Sequence, residues 1–363
     1  MPVPFATPPA SLVNVLGRVR AALGYLQRST VPPNVALFEL AQGAWVTQAL
    51  YAAVHLRLAD ELAAGPSTAD EVARRVGSDP NATFRLLRAL AGQGVFTLRR
   101  DGRFALTGVG RALRWDADGS MAPMIAMIGS PEHWQHWSDL HHSVVTGRTA
   151  VEKQRGVPMF DYLETNPAYA ARFNDAMTGM SAIAIRAAVP AYDFTDRRLI
   201  VDVGGGHGAL LAAVLRAAPA AEGILFDVPS VADGARTAIA EAGLARRCAV
   251  TGGSFFESVP AGGDAYLLKT VIHDWDDQQC LSILRTVRAA IAPSGKLLLF
   301  ELVLPDGAPP HPGLLLDLEM LVHAGGRERT VAEYSKLLTQ AGFRATRVIV
   351  TGGPMSIVEA VPA

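Results

Sequence analysis

The sequence has few cysteines and almost no net charge, and both absences exclude broad classes of protein. Of its 363 residues only two are cysteines, and the formal net charge is −1 at pH 7. Two isolated thiols, Cys248 and Cys280, cannot build a disulfide framework or a cysteine-based zinc site, which favours a reducing cytoplasm. A nearly neutral chain also has no overall basic field that would attract nucleic acid or an anionic membrane.

Long apolar runs and a secretion signal are missing as well. The chain has no uninterrupted span of about 20 apolar residues, which a membrane-crossing helix needs. Its start, MPVPFATPPASL, lacks the basic-then-apolar order of a signal peptide. Yet 50% of the residues are hydrophobic and 18% are charged, which is typical of a well-buried globular protein. We therefore predict a cytoplasmic protein with neither nucleic acid nor a membrane as its partner.

Apolar spacing and turn residues divide the chain into three predicted parts. Residues 1–115 form a helical domain, in which a long apolar pattern with helical spacing runs from residue 35 to residue 62. Residues 116–192 form a helical segment rich in aromatic residues and methionine. Residues 193–363 form the last part, which begins after the stretch AYDFTDRR interrupts the helical pattern.

The end of the first part resembles a winged helix. Ser67 or Thr68 is predicted to cap one short helix and Asp79 the next, because their side chains accept hydrogen bonds from free N–H groups at helix starts. The segments VFTL and RFALT, joined by a turn at Asp101-Gly102, then predict a hairpin.

From Leu199 the chain alternates between strands and helices. The predicted strands are LIVDV, GILFD, CAVTG, DAYLLK and KLLLFEL, and the helix VAEYSKLLTQAGF then precedes the strands RATRVIV and MSIVEAV. This order predicts an α/β fold of Rossmann type, with a mainly parallel sheet and a terminal antiparallel hairpin.

A glycine-rich turn follows the first of these strands, in LIVDVGGGHGAL. Glycines at such a turn let a ligand approach the backbone, and the helix start offers free N–H groups. Asp227 ends the next strand at about the spacing of an acid that binds ribose hydroxyls. NAD and S-adenosyl methionine both carry a ribose, and Gly204-x-Gly206-x-x-Ala209 fits the dinucleotide pattern too. These residues leave the choice of cofactor open, and a turn without any ligand is the simpler alternative.

The stretch DAYLLKTVIHDWDDQQC places His273 in a loop after a strand. Ligands of open α/β sheets lie at the carboxyl ends of the strands, and a histidine there can take a proton near neutral pH. Asp276 or Asp277 is expected to cap the helix that follows.

Six segments in one order carry a family resemblance: DVGGGHG, FDVP, SFFESVP, LLKTVIHDWDD, FELVLP and GGRERT. They resemble the S-adenosyl methionine-dependent O-methyltransferases of small molecules, including the plant caffeic-acid type and bacterial enzymes of secondary metabolism. The resemblance covers nearly the whole chain and counts against NAD. It implies methyl transfer to a hydroxyl, often phenolic, of a small aromatic or polyketide-like metabolite, without a metal. It also implies a homodimer formed through the winged-helix part.

The resemblance assigns roles to single residues. His273 would be the general base, and Glu301 and Glu328 would orient it and raise its basicity. For Glu328 the alternative is an ion pair with Arg327 or Arg329 on a surface loop. The positions that would hold the cofactor are Asp202, Gly204, Gly206, Asp227, Ser254, Phe255, Lys269 and Ser181. The positions that would contact the acceptor are Phe160, Tyr169, Phe173, Met177, Asp274, Met320 and His323, with Trp134, His136 and Trp137 as weaker candidates.

Two departures from the family pattern affect binding. Ser254 stands where the family usually has an aspartate, and its hydroxyl can accept a hydrogen bond from the adenine amino group without bringing a charge. His323 stands where plant enzymes carry asparagine, so the acceptor specificity of those enzymes does not transfer.

Other functions remain open at this point. The same scaffold can carry decarboxylation or hydroxylation, and a catalytically inactive relative could bind the cofactor alone, although intact His273, Glu301 and Glu328 argue against that. The winged helix also raises the class of DNA-binding regulators. Its candidate contacts are Arg74, Arg75, Arg85, Arg88, Arg99, Arg100 and Arg103.

Overall fold

The computed structural model describes residues 10–307 and 309–363; the proline-rich start, residues 1–9, lies outside the described residues. Contacts divide the chain into two compact units. The helical unit comprises Ala22–Leu140 and Met159–Ala182, and the sheet unit comprises His141–Pro158, Ile183–Ala363 and residues 10–21. No helix in the described ranges is both long and apolar enough to span a bilayer.

The part of the chain before the central sheet is helical apart from one hairpin, β1 (Phe96–Leu98) with β2 (Phe104–Leu106). The stretch from residue 35 to residue 62, with its apolar residues at helical spacing, falls into three helices in the structure, because the chain turns at Gln42 and adopts a left-handed conformation at Arg57 (φ +53°). The helices are α1 (Ala10–Ser29), α2 (Pro33–Ala41), α3 (Gly43–His55), α4 (Leu58–Glu61), α5 (Ala69–Val76), α6 (Pro80–Gly92), α7 (Gly108–Arg111), α8 (Ala122–Ile128), α9 (Pro131–Ser138), α10 (Leu140–Thr146), α11 (Ala150–Arg155), α12 (Met159–Thr165) and α13 (Pro167–Ala188).

The predicted winged-helix pattern is confirmed in the helical unit. Thr68 caps α5 in a capping box with Glu71, and the Asp79 side chain accepts a hydrogen bond from the Ala82 N–H at the start of α6. The hairpin β1–β2 follows α6 and contributes Phe96 and Phe104 to the buried core of the unit.

Ion pairs neutralise part of the basic surface of this winged helix. Arg75 pairs with Glu61 at 2.6 Å, and Arg103 pairs with Glu71 at 3.2 Å. Two of the arginines that suggested DNA binding are therefore bound to carboxylates of their own unit.

The sheet unit contains the predicted alternation of strands and helices, and its strands agree with the predicted segments. The elements are β3 (Leu199–Val203), α14 (Ala209–Ala217), β4 (Glu222–Asp227), α15 (Pro229–Glu241), β5 (Cys248–Gly252), β6 (Ala265–Lys269), α16 (Asp277–Ala290), β7 (Lys296–Glu301), β8 (Val303–Leu304), α17 (Gly313–His323), β9 (Arg329–Thr330), α18 (Val331–Gln340), β10 (Phe343–Val350) and β11 (Ser356–Pro362).

The central sheet has seven strands in the order β10-β11-β7-β6-β3-β4-β5. The strands from β7 to β5 pair in parallel, whereas β11 pairs antiparallel with both β7 and β10. The predicted mainly parallel sheet with a terminal antiparallel hairpin is thus confirmed. The carboxyl ends of β3, β4, β6 and β7 lie along one edge, where ligands of such sheets bind.

Both faces of the sheet are buried, because helices pack on each of them. Leu267 and Leu298 point into the cluster that contains the buried residues of α14 and α15. Their neighbours Leu268 and Leu299 point into the cluster built with α16 and α18. This alternation explains the nearly continuous apolar strands of the sequence, since a strand covered on both faces needs no polar side.

A second, two-stranded sheet extends the carboxyl end of β7. β8 follows β7 after one residue and pairs in parallel with β9. This pairing brings Glu328, which directly precedes β9, into the part of the fold where β7 ends at Glu301.

Candidate active site

The glycine-rich turn leaves β3 through three left-handed residues, Gly204 (φ +67°), Gly206 (φ +57°) and Gly208 (φ +82°). Side chains other than glycine rarely adopt this conformation, so the turn requires these residues. A Cβ atom on Gly206 would meet nothing within 4 Å. The turn therefore has an open face at Gly206, from which a ligand can reach the backbone.

Asp202 lies beneath this turn with its carboxylate buried. A Cβ atom on Gly205 would lie 2.8 Å from the Asp202 Cγ, which shows how closely the turn covers it. Neither carboxylate oxygen accepts a hydrogen bond from the described residues. Burial raises the pKa of Asp202 to about 7, although the charge of Lys269 opposes the shift. An unsatisfied buried acid favours a cationic or N–H-bearing group at the turn.

Asp227, at the end of β4, shapes the same turn. Its Oδ2 accepts a hydrogen bond from the Gly206 N–H at 2.7 Å, and its Oδ1 accepts one from the Val228 N–H at 2.7 Å. Each carboxylate oxygen has a further lone pair, so two acceptor positions remain for ligand hydroxyls. The half-buried side chain and the open turn fit a ribose-bearing cofactor.

Three other predicted cofactor residues surround the turn. Phe255 lies 3.6 Å from the Cβ position of Gly204 and packs edge-on against Trp275. The Ser254 hydroxyl accepts a hydrogen bond from the Phe256 N–H at 3.3 Å. Lys269 ends β6, and burial lowers its pKa while the charges of Asp202 and Glu301 oppose the shift.

His273 lies in the loop between β6 and α16, and its ring is held from one side. Its Nδ1 lies 2.8 Å from Oε1 of Glu328, whose side chain is fully buried. Its Nε2 lies 3.5 Å from Oδ1 of Asp274. The structure thus brings together His273 and Glu328, as predicted, and rules out a surface ion pair for Glu328.

Glu301 holds the start of the same loop. Its Oε1 accepts hydrogen bonds from the backbone N–H groups of Val271 at 3.1 Å and Ile272 at 2.9 Å. Burial raises the pKa of Glu301 to about 7, although the charge of His273 opposes the shift. Glu301 therefore positions the backbone of the loop and acts on His273 by its charge.

The carboxylates around His273 make it strongly basic. Burial by itself lowers the pKa of an imidazole, because it disfavours the charged form. Here the negative charges of Asp274 and Glu301, together with the hydrogen bond to Glu328, outweigh burial and raise the pKa of His273 to about 10.

Asp276 and Asp277 have different roles. Asp276 caps α16 in a capping box with Gln279, as predicted for one of the two. Asp277 instead pairs with Arg327 at 3.0 Å and with Arg329 at 2.9 Å. These are the arginines that sequence reasoning considered as partners of Glu328.

Two residues that the sequence did not single out support the site: Asp317 holds Glu328, and Gly326 lies against the His273 loop. The Asp317 side chain accepts a hydrogen bond from the Glu328 N–H at 2.9 Å. A Cβ atom on Gly326 would lie 2.0 Å from the carbonyl oxygen of His273, so the two backbones touch. The paired glycines of GGRERT were the only signal of this contact.

The predicted acceptor residues fall in both units. Asp274, Met320 and His323 belong to the sheet unit, where His323 Nδ1 lies 3.1 Å from Glu319 Oε1. The helical unit holds the others on α12 and α13, together with Ser181, which was predicted at the cofactor. Among them Tyr169 is fully buried and packs against Tyr162 and His136. The others on these two helices are Phe160, Phe173 and Met177.

An open parallel sheet with a glycine turn after its first strand is the architecture of enzymes that bind nucleotide-type cofactors. A basic histidine at the same strand ends adds proton transfer. Comparison with known proteins defines the class further. The O-methyltransferase domain model matches residues 137–344, and the O-methyltransferase dimerisation domain model matches residues 38–114.

Known relatives agree with these models. Phenazine O-methyltransferase PhzM of Lysobacter antibioticus is 44% identical over 332 residues, which cover 92% of this chain and 97% of the relative. The mitomycin biosynthesis 6-O-methyltransferase of Streptomyces lavendulae is 38% identical over 323 residues, covering 88% and 92%. The solved structure of NcsB1 from neocarzinostatin biosynthesis, in complex with S-adenosylmethionine and 2-hydroxy-5-methyl naphthoic acid, has a TM-score of 0.74 and 33% identity and covers 88% and 96%.

The chain belongs to the O-methyltransferase family. It is an S-adenosyl methionine-dependent enzyme, as the resemblance of its motifs predicted.

Proposed function

We propose that this enzyme methylates a phenolic hydroxyl of a small aromatic metabolite, with His273 as the general base. The observation that carries the proposal is the 2.8 Å contact between His273 Nδ1 and Glu328 Oε1. When Nδ1–H donates to this carboxylate, Nε2 is the nitrogen that can accept a proton. A phenol has a pKa near 10 and is a poor nucleophile while it keeps its proton. A base whose pKa is close to that of the phenol can accept this proton during the reaction.

The carboxylates around His273 have different roles. Glu328 fixes the ring and its tautomer, and Glu301 holds the loop backbone through two N–H groups. Asp274 lies 3.5 Å from Nε2, on the side that would face the acceptor hydroxyl. We place Asp274 beside the acceptor for this reason.

The cofactor would be held by the turn after β3 and by the ends of β4 and β6. When bound, S-adenosyl methionine supplies a methyl carbon that its sulfonium makes electrophilic. Asp227 would bind the ribose hydroxyls with its remaining lone pairs. Asp202 and the open face at Gly206 would accommodate the charged amino-acid end. The remaining contacts proposed for the cofactor are those of Gly204, Ser254, Phe255, Lys269 and Ser181.

The class of acceptor is supported by the relatives and by the residues proposed to contact it. Phenazine and a hydroxy naphthoic acid are named for two of the proteins to which this chain is similar. Flat aromatic compounds of this kind suit aromatic and methionine side chains. The contacts proposed for the acceptor are Phe160, Tyr169, Phe173, Met177, Met320 and His323. Decarboxylation or hydroxylation on this scaffold is the alternative reaction. Mass spectrometry of the product distinguishes these reactions from the addition of one methyl group.

The pH dependence of methyl transfer tests the role of His273. For the wild type we expect kcat/KM to rise with pH well above 6.5, because a base must lose its proton and the pKa of His273 is raised to about 10. In Glu328→Gln the carboxylate is lost, and the rising limb moves to lower pH. A hydrogen bond to a charged group contributes about 1.5–3 kcal/mol, which corresponds to a shift of about 1–2 pH units. Labelled S-adenosyl methionine and a soluble phenol suffice for the measurement.

Two controls make this result specific. Glu241→Gln removes an exposed carboxylate of α15 and should leave the profile in place. Repeating the pH profile with a second phenol of different pKa shows whether the rise in kcat/KM reports ionisation of the acceptor instead of ionisation of the enzyme. A profile that does not move in Glu328→Gln contradicts the proposed pairing of Glu328 with the base.

We further propose that the enzyme is a homodimer formed through its N-terminal domain. The helical unit exposes a group of large apolar side chains on α1, α2 and α3, and such an accumulation of exposed apolar residues favours an interaction surface. The dimerisation domain model covers residues 38–114, which include Phe38, Leu40 and Trp45 of this group, and this supports a second copy of the chain as the partner. The exposed residues are Leu23, Tyr25, Leu26, Leu37, Phe38, Leu40 and Trp45.

Charged substitutions in this apolar group should separate the subunits. We expect the double variant Leu37→Asp/Leu40→Asp to elute as a monomer, because buried unpaired carboxylates oppose association. Val350→Asp, at an exposed apolar position in the sheet unit, should keep the wild-type mass by light scattering. A dimer that persists in the double variant places the interface elsewhere.

Two statements about the chain stay predictions. One is its division into three parts, residues 1–115, 116–192 and 193–363, and the other is its cytoplasmic location.

A further inference from the structure

Arg329 is an arginine whose side chain is fully buried beneath the His273 loop. Its guanidinium makes five hydrogen bonds, as many as it has N–H groups. Nη1 donates to the carbonyl oxygens of Ile272 at 2.8 Å and Arg327 at 3.1 Å. Nη2 donates to the carbonyl oxygen of Trp275 at 2.9 Å and to Asp277 Oδ1 at 2.9 Å, and Nε donates to the same Asp277 oxygen at 3.3 Å.

The loop carbonyls that Arg329 binds lie on the two sides of His273. Ile272 precedes His273 by one residue, and Trp275 follows it by two. A planar guanidinium with fixed N–H directions holds two such acceptors at a set separation. Arg329 therefore fixes the backbone on both sides of His273 without touching the imidazole.

Arg329 also joins this loop to Glu328. The two residues are neighbours in the sequence, and Arg329 begins β9, which is paired with β8. The same side chain thus holds the loop that carries the histidine against the strand next to the carboxylate. Arg329 thus connects the backbone on both sides of His273 to the strand next to Glu328, whose Oε1 lies 2.8 Å from His273 Nδ1.

The loop needs such support because its entry is strained. Thr270 has a left-handed conformation (φ +52°), which is unfavourable for a β-branched residue. Conformations of this kind persist only when the surrounding contacts determine them. Glu301 supplies two of these contacts at the start of the loop, and Arg329 supplies those on both sides of the histidine.

We propose that Arg329 is a positioning residue for methyl transfer, which holds the His273 loop in register with Glu328. This inference rests on the proposed function of His273 as the base. The charged groups that face His273 are Asp274 on its own loop, Glu301 at the end of β7 and Glu328 before β9, while Lys269 faces Asp274. Loss of Arg329 lets the imidazole move away from Glu328, and the basicity that this carboxylate supports then falls.

The test compares Arg329→Met and Arg329→Lys with the wild type. For Arg329→Met we expect kcat to fall on the order of a hundredfold, as for a displacement of about 1 Å at the reacting group, with an unchanged dissociation constant for S-adenosyl methionine. The rising limb of the pH profile moves to lower pH, and the NMR titration of the His273 ring moves with it. Arg329→Lys keeps the charge but has three N–H groups instead of five, so it gives an intermediate result and serves if the methionine variant does not fold.

Arg327→Met is the matched control. Arg327 also binds Asp277 and pairs with Glu333, but no hydrogen bond from it to the loop around His273 is present among the described residues. It should leave kcat, the pH profile and the His273 titration unchanged. Arg329 variants that lower only the melting temperature, with an unmoved pH limb and titration, overturn the inference and make Arg329 merely structural. A His273→Ala variant with full activity, beside a shifted His273 titration in Arg329→Met, overturns the proposed base and leaves the positioning of the loop in place.

Discussion

His273→Ala should lose most of the methyl-transfer rate while it keeps the cofactor. A positioned general base contributes about 10²- to 10⁴-fold to a rate, and we expect kcat to fall by that amount. The reason is local, because His273 combines a raised pKa with a 2.8 Å contact to the buried carboxylate of Glu328. His273 is not among the residues proposed to bind the cofactor, so the dissociation constant of S-adenosyl methionine should not change.

Two further variants show whether the effect comes from the base. His273→Asn retains an N–H group that can donate to Glu328 but has no basic nitrogen, so it should be as inactive as alanine. His141→Ala removes an exposed histidine of α10 and should be fully active. Rates come from transfer of a labelled methyl group, and binding comes from calorimetry. Near-normal turnover in His273→Ala is incompatible with the proposed role.

Asp227→Ala should have the opposite pattern, with weak cofactor binding and a largely preserved kcat at saturation. The substitution removes the acceptor of the Gly206 N–H, which holds the glycine turn, and both remaining acceptor positions for ribose hydroxyls. One hydrogen bond to a charged group contributes about 1.5–3 kcal/mol, which corresponds to about 10- to 150-fold in affinity. With two such bonds lost, we expect the dissociation constant to rise by at least about 100-fold.

Matched variants separate the ribose contact from the support of the turn. Asp227→Asn keeps one oxygen acceptor and the shape of the side chain, so its affinity should lie between those of alanine and wild type. Asp233→Ala removes an exposed aspartate of α15 that pairs only with Arg236 among the described residues, and its affinity should be that of the wild type. Calorimetric titration with S-adenosyl methionine measures all three. Unchanged affinity in Asp227→Ala would show that the ribose lies elsewhere.

The strands of the sheet unit could be predicted because their pattern is local. The run Leu199–Val203 is apolar apart from Asp202, ends at glycines and forms β3 with these bounds. The helix caps at Thr68, Asp79 and Asp276 were predictable for the same reason, since a cap depends on residues three positions apart. The long apolar pattern before residue 62 was less informative, because periodicity does not show where a helix is interrupted.

The contacts that complete the candidate site join distant segments, and a single sequence carries no signal for their pairing. Asp277 and Arg329 are 52 residues apart, and each had a plausible local role as a cap or as a partner of Glu328. A charged residue is expected at the surface, so the burial of Arg329 could not be inferred. The motif resemblance placed Glu328 near His273, but only the structure shows which nitrogen it holds.

The arrangement of the last two strands has a consequence for how the protein is made. β11 follows β10 in the chain, yet it lies inside the sheet, between β10 and β7. The edge of β7 therefore stays without its partner until the ribosome has added the residues beyond Ser356. A bare, apolar strand edge can pair with other chains. Nascent molecules halted before Ser356 should thus be the ones that chaperones retain or that aggregate, although they already contain His273, Glu301 and Glu328.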